Sequence, residues 1–150
     1  MKSATLLCLN FVFLTPAFAA ETKVKLEDLP SAVLSSVKDI TRDATLVGLN
    51  KEQEKGNTIY EVETKGSNGK TRDLLLDRTG AVIETEQEVD LDTIPPAAKL
   101  AIQKRLAGGT VQKVEKLTKG SSVSYEAAIK TKSGKNLEVG VNADGSAHKG

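Results

Sequence analysis

The chain has 150 residues, with 21 Lys and Arg against 20 Asp and Glu, which gives a formal net charge of +1. This balance argues against nucleic acid as the main partner, because binding to a duplex depends on neutralising its phosphates. A single cysteine cannot form an intramolecular disulfide, and a lone histidine cannot build a histidine-based catalytic or metal cluster. We therefore expect a protein that is not an enzyme and carries no cofactor.

Residues 1–19 have the pattern of a cleaved export signal. Lys2 supplies a short positive region, residues 6–14 form an apolar core, and residues 17–19 form a small-x-small cleavage site. The apolar run is too short to span a membrane. Cleavage after Ala19 predicts an exported mature chain without a membrane span, and the sequence leaves the periplasm and secretion both open.

The sequence aligns with itself at a constant offset of 65 residues, without a gap. Eleven positions are identical between residues 26–85 and 91–150, where ordinary composition would give roughly four. The identical residues of the first segment are Leu26, Pro30, Ala32, Thr45, Lys51, Tyr60, Glu61, Lys65, Gly69, Lys70 and Gly80. We predict two repeats, residues 26–85 and 91–150, joined by an acidic linker or strand extension over residues 86–90.

In chain order, the first predicted element of each repeat is a helix. Pro30 suits the first helical turn, where its missing N–H costs nothing. The apolar residues that follow it at helical spacing are Val33, Leu34, Val37 and Ile40. The spacing predicts helices over residues 30–42 and 95–107, the second ended by Gly108 and Gly109.

Four strands are predicted after each helix. They cover residues 45–51, 58–64, 72–76 and 81–88 in the first repeat and 110–117, 123–129, 137–141 and 146–149 in the second. Tyr60 and Tyr125 share an apolar strand face and are expected to pack in the core. The predicted fold class is α+β, with two tandem repeats, each a helix packed on a four-stranded antiparallel meander sheet. We expect the two sheets to join edge to edge or through another shared interface.

Short motifs recur in the same order in both repeats. They are Leu29-Pro30, Tyr60-Glu61 and residues 77–80 in the first, with Ile94-Pro95, Tyr125-Glu126 and residues 142–145 in the second. Their order and spacing resemble tandem PepSY-like domain proteins, whose fold is shared with the β-lactamase inhibitory protein. The resemblance covers nearly all of the mature chain. It implies an exported bacterial protein that binds or inhibits other proteins.

The predicted binding surface is the sheet face away from the helices. The residues predicted to point outward there, and to contact a protein partner in the cell envelope, are Glu61, Glu63, Asp73, Leu75, Glu126, Asn136 and Glu138. The β-lactamase inhibitory protein binds through aromatic side chains. Here no Trp or Phe follows residue 19, so this surface has to rely on other side chains.

An alternating acidic run is the most unusual local feature. In an extended chain, its five carboxylates would lie on one face. They are Glu84, Glu86, Glu88, Asp90 and Asp92. The run is a solvated strand face, a docking stripe for a basic partner, or a weak divalent-cation site. The alternative function is therefore a small-ligand or divalent-cation-binding envelope protein.

Overall fold

The structure is a computed structural model that describes residues 21–148, so the predicted export signal lies outside the described residues. The helices are α1, Ser31–Ile40, and α2, Pro96–Arg105, each preceded by a short 3₁₀ helix, Leu26–Asp28 and Leu91–Thr93. The strands are β1, Thr22–Lys23; β2, Ala44–Glu54; β3, Asn57–Gly66; β4, Thr71–Leu76; β5, Val82–Glu88; β6, Thr110–Lys119; β7, Ser122–Lys130; and β8, Asn136–Asn142.

All eight strands form one antiparallel sheet in the order β1 to β8. The predicted fold class, two tandem repeats that each place a helix on a four-stranded sheet, is therefore wrong. Its error lies at residues 86–90: β5 continues to Glu88 and pairs directly with β6, so no boundary separates two sheets. In place of the predicted strand 146–149, the described residues show a single bridge between Val141 and Ala147.

Both helices cover the same face of this sheet. Val33 and Val37 of α1 are buried against β2, β3 and β4, and Ala98 and Ile102 of α2 are buried against β6, β7 and β8. The pairing register shows that the two clusters lie on the same face of the sheet. Leu74 in the α1 cluster aligns through Thr85 and Thr118 with Val123, which packs against the α2 cluster. Among residues 21–148, no helix covers the opposite face of the sheet.

The predicted core tyrosines are confirmed. Tyr60 is buried in the α1 cluster and Tyr125 in the α2 cluster. The predicted helices are confirmed in place but are shorter at their ends. The second ends at Arg105 because Ala107 and Gly108 both have positive φ, 46° and 80°, which a right-handed helix cannot continue through.

Two glycines that are identical at the offset of 65 residues allow turns to pack closely against the helices. Gly80 has φ 79°, and a Cβ there would collide with the carbonyl of Ala32 in α1. Gly145 has φ 84° and lies in the same way against Ala97 of α2. Both positions need glycine for its positive φ and for close approach, which explains this pair of identities at offset 65.

Candidate functional site

Carboxylates line the sheet face opposite the helices. Along each strand they alternate with core residues, so their side chains point away from α1 and α2. We call this surface the carboxylate face and define it by ten residues: Glu52, Glu61, Glu63, Asp73, Glu84, Glu86, Glu88, Glu115, Glu126 and Glu138.

Pairing register brings these carboxylates side by side. Glu63 faces Asp73, which faces Glu86 on β5. Further along the face, Glu88 faces Glu115. Neighbouring strands lie roughly 4.8 Å apart, and like charges directly opposite each other destabilise a sheet. The fold therefore tolerates an unfavourable row of charges across its centre.

The structure places the seven residues predicted from sequence to point outward on this face. Glu61 faces Leu75 across β3 and β4, and Glu126 faces Gly140 across β7 and β8. The complete set is Glu61, Glu63, Asp73, Leu75, Glu126, Asn136 and Glu138. That they contact a partner remains a prediction.

The acidic run does not form one row of five carboxylates. Glu84, Glu86 and Glu88 share the face on β5, but the strand ends at Glu88. Asp90 and Asp92 lie beyond that end, and each forms an ion pair with a lysine. Lys70 Nζ lies 2.7 Å from Asp90 Oδ2, and Lys99 Nζ lies 2.6 Å from Asp92 Oδ1.

Glu86 is the most perturbed carboxyl on the face. Its pKa is raised to about 8, mainly by burial, and the negative charges of Glu115, Glu84 and Asp73 contribute to this shift. At neutral pH the Glu86 carboxyl is therefore often protonated. A neutral carboxylic acid at the centre of the sheet relieves part of the repulsion described above.

Burial also raises the pKa of other carboxyls on the face. It raises the pKa of Glu61 and of Glu126 to about 7, with Glu138 adding to the effect on Glu126. The pKa of Asp73 rises to about 6, because burial outweighs the positive charge of Lys113. These carboxyls titrate close to physiological pH, so the charge of the face depends strongly on pH.

Two lysines partly compensate the negative charge. Lys113 Nζ lies 2.6 Å from Glu115 Oε1, and Lys119 Nζ lies 2.8 Å from Glu84 Oε2. The pKa of each lysine is raised: that of Lys119 by its hydrogen bond to Glu84, and that of Lys113 by its carboxylate neighbours, which outweigh its burial. The ten carboxylates still outnumber the five lysines that the pairing register places on this side of the sheet, so the face carries an excess of acidic groups.

Asn50 orders one end of the face. It is buried, and its Nδ2 donates hydrogen bonds to Glu61 Oε2 at 3.1 Å and to Glu63 Oε1 at 2.7 Å. A Cβ at Gly48 would collide with the Glu63 carboxylate, so glycine leaves the space that Glu63 occupies. The two carboxylates are thus held in fixed positions and not spread in solvent.

Two groups of three carboxylates come close enough to share a cation. Their oxygen atoms lie within 4.8 Å of one another in Glu21, Glu61 and Glu63 and in Asp73, Glu86 and Glu115. Hard cations such as Ca²⁺ prefer oxygen ligands but take six to eight of them. Each group alone supplies too few protein ligands for a tight site.

Sequence reasoning missed Glu52, Asn50, Glu115 and Lys113. A partial signal was available, because Asn50 and Glu52, and likewise Lys113 and Glu115, are two residues apart and therefore lie on one side of an extended strand. That signal could assign these residues to a common side of one strand. Their position near Glu86 depends on the pairing of β5 with β6, and the sequence did not distinguish edge-to-edge joining from another shared interface.

Solved structures of other proteins share this fold. No protein family and no curated protein matches the sequence. Among solved structures, a "putative periplasmic protein" from Bacteroides eggerthii matches with TM-score 0.64 and 16% identity over 81% of this chain and 86% of that chain. A BLIP-like protein from Bacteroides fragilis matches with TM-score 0.56 and 18% identity over 81% and 84%. The fold is BLIP-like, which means that it is similar to the fold of the β-lactamase inhibitory protein.

A DUF2874 family protein from Bacteroides ovatus shares this BLIP-like fold, with TM-score 0.60 and 19% identity over 81% of this chain and 85% of that chain. At such low identities the likeness establishes the fold alone. The resemblance to the fold of the β-lactamase inhibitory protein is confirmed, whereas the PepSY-like assignment remains a prediction. Within residues 21–148, no helix is long and apolar enough to cross a membrane.

Proposed function

We propose that the protein is an exported, non-enzymatic binding module whose carboxylate face binds a basic surface of a protein partner in the cell envelope. The observation that carries the proposal is the row of opposed carboxylates on the helix-free face, with the pKa of Glu86 raised to about 8. Some of these carboxylates have partners within the sheet, since Glu88 Oε2 accepts a hydrogen bond from the Thr71 backbone N–H and Glu84 pairs with Lys119. The crowding of like charges around Glu86 nevertheless opposes folding.

A cationic partner would relieve this crowding. Lysine or arginine side chains placed between Glu61, Glu86 and Glu126 would favour the ionised carboxylates and lower their pKa values. Binding would then release protons and tighten as the pH rises. It would also weaken as salt is added, because exposed charges interact less strongly at high ionic strength.

Two kinds of observation support the proposed location and class of the module. The export pattern of residues 1–19 supports the periplasm or secretion, and the similarity to the B. eggerthii periplasmic protein supports the periplasm. The BLIP-like fold and the paired motifs support a PepSY-like protein that binds, and in that way inhibits, an envelope protease or another enzyme. Leu75 and Leu117 supply apolar contacts on the face, since no Trp or Phe follows residue 19.

A pull-down with matched variants tests the binding face. The mature protein is compared with the triple variant Glu61→Gln, Glu86→Gln, Glu126→Gln and with a control triple variant Glu27→Gln, Asp28→Asn, Asp39→Asn. The control removes three acidic residues that are exposed on or near α1. We expect the wild type and the control to retain one stoichiometric envelope partner at low salt, and the face variant to bind it at least about tenfold more weakly.

The pull-down has two outcomes that contradict the proposal. One is a partner retained equally by the face variant and the wild type. The other is a partner whose binding does not change between about 0.05 M and about 0.5 M salt, because a charged face must be screened over this range.

Divalent-cation binding is the second candidate function, favoured by the two groups of three carboxylates. We expect millimolar calcium to raise the thermal unfolding midpoint of the wild type only if Asp73, Glu86 and Glu115 act together as ligands. In that case Glu86→Gln would abolish the increase, and Asp144→Asn, which lies outside both groups, would preserve it. An unchanged midpoint for the wild type would exclude this function and leave the protein-binding proposal intact.

A further inference from the structure

A small polar cavity opens on the helix-bearing side of the sheet, away from the carboxylate face. Its volume is about 150 Å³. Thr64, Arg72 and Gln87 face one another across β3, β4 and β5 at its base. Its full lining is Asp43, Ala44, Thr64, Gly66, Asn68, Lys70, Arg72 and Gln87. We call it the Arg72 cavity.

Arg72 is the uncommitted cation of this cavity. Lys70 Nζ lies 2.7 Å from Asp90 Oδ2, so its charge is already paired. Among residues 21–148, no carboxylate forms an ion pair with Arg72, and its guanidinium donates no side-chain hydrogen bond there. A half-buried guanidinium therefore keeps its donors for a ligand.

Asn68 supplies a second free donor at a defined position. Its Oδ1 accepts a hydrogen bond from the Lys70 backbone N–H at 3.0 Å, which fixes the orientation of the amide. A Cβ at Gly66 would lie 2.9 Å from this Oδ1, so the amide would have to shift if Gly66 carried a side chain. The Asn68 Nδ2 group then remains a donor without a partner within residues 21–148.

We propose that the Arg72 cavity binds a carboxylate group, either of a small organic acid or of an aspartate or glutamate side chain. A carboxylate offers two coplanar acceptor oxygens that match the guanidinium fork, and Asn68 Nδ2 adds a further donor. Asp43 lies on the cavity lining and repels anions. A singly charged carboxylate suffers less from this repulsion than a phosphate, which carries more negative charge.

The site is independent of the proposed binding face. Arg72 lies on the helix-bearing side of β4, whereas its neighbour Asp73 points to the opposite side. A ligand in the cavity therefore does not occupy the carboxylate face, and each site can be tested while the other is intact.

Titration of the ¹⁵N-labelled mature protein tests the site. Acetate represents the free acid, N-acetylglutamate amide represents the side chain of a protein, and inorganic phosphate is the comparison anion. We expect both carboxylates to produce saturable shifts at the Asn68 and Gln87 side-chain amides and at the Gly66 amide, with millimolar affinity. Tighter binding of the glutamate derivative would identify a protein ligand, and equal binding would identify the carboxylate alone as the recognised group.

Three variants test whether the shifts arise from binding at Arg72. Arg72→Gln should abolish the saturable shifts, while Arg78→Gln, an exposed arginine in the β4–β5 turn, should leave them unchanged. Asp43→Asn should tighten binding severalfold, because it removes the opposing charge from the cavity. The proposal is overturned by shifts that persist in Arg72→Gln, by shifts that never saturate, or by phosphate binding more tightly than both carboxylates.

Discussion

Raising the pH from about 5 to about 9 is expected to destabilise the folded protein by about 2 to 4 kcal/mol. The pKa values of Asp73, Glu61, Glu126 and Glu86 are raised to about 6, 7, 7 and 8, mainly by burial. A raised carboxyl pKa favours the protonated folded state. This contribution is complete below the unfolded pKa of about 4 and is lost as the pH rises through the folded values.

Urea unfolding at a series of pH values measures this effect. The range begins near pH 5 because the hydrogen-bonded carboxyls of Asp77 and Asp144 have lowered pKa values, and their favourable contribution is lost at lower pH. Glu86→Gln serves as the matched variant. It should be more stable than the wild type by about 1 to 2 kcal/mol at pH 9 and nearly equal to it at pH 5. A stability that stays level or increases with pH would contradict the electrostatic description of the face.

Leu76→Ala is expected to lower the free energy of unfolding by about 2 to 5 kcal/mol. Leu76 is 0% exposed in the α1 cluster, so truncation leaves a cavity where β3 and β4 pack under α1. Leu100→Ala is the matched control, because Leu100 is 51% exposed on α2. Its expected cost is below about 0.5 kcal/mol. Equal costs for the two variants would contradict the assignment of the core.

The same unfolding experiment tests whether the sheet acts as one cooperative body. Tyr60 reports on the α1 cluster and Tyr125 on the α2 cluster. Single Tyr→Phe variants leave one fluorescent reporter each. Because β5 pairs directly with β6, the remaining tyrosine and the far-ultraviolet circular dichroism of each variant should give the same unfolding midpoint. The same agreement is expected when Leu76→Ala is added. Two separate transitions would show that the halves unfold independently.

Local features of the fold were predictable from the sequence. Apolar spacing after Pro30 located α1 within two residues at either end, because a helix that covers a core needs an apolar stripe. Strand alternation assigned Glu61, Glu63 and Asp73 to the outward side correctly, since side chains alternate across a strand. These signals depend only on neighbours along the chain.

Local signals left open whether the two predicted sheets join edge to edge or through another shared interface. Pairing of β5 with β6 depends on long-range hydrogen bonds that leave no periodic signal in either strand. Register shifts at Leu46/Gly48 and Val111/Lys113 also change which side chains become neighbours, and such bulges have no reliable sequence signature. The close approach of Glu86 to Glu115 arises only when these strands pair. The same is true of the Arg72 cavity.

The most direct test of the carboxylate face as a binding surface is to map where a cationic ligand binds. A lysine-rich peptide is titrated into the ¹⁵N-labelled mature protein at low salt, and the perturbed amides are located on the sheet. We expect shifts concentrated at Glu61, Glu86 and Glu126, absent from α1 and α2, and suppressed by about 0.5 M salt. Shifts concentrated on the helices, or no shifts on the carboxylate face, would contradict the proposed function.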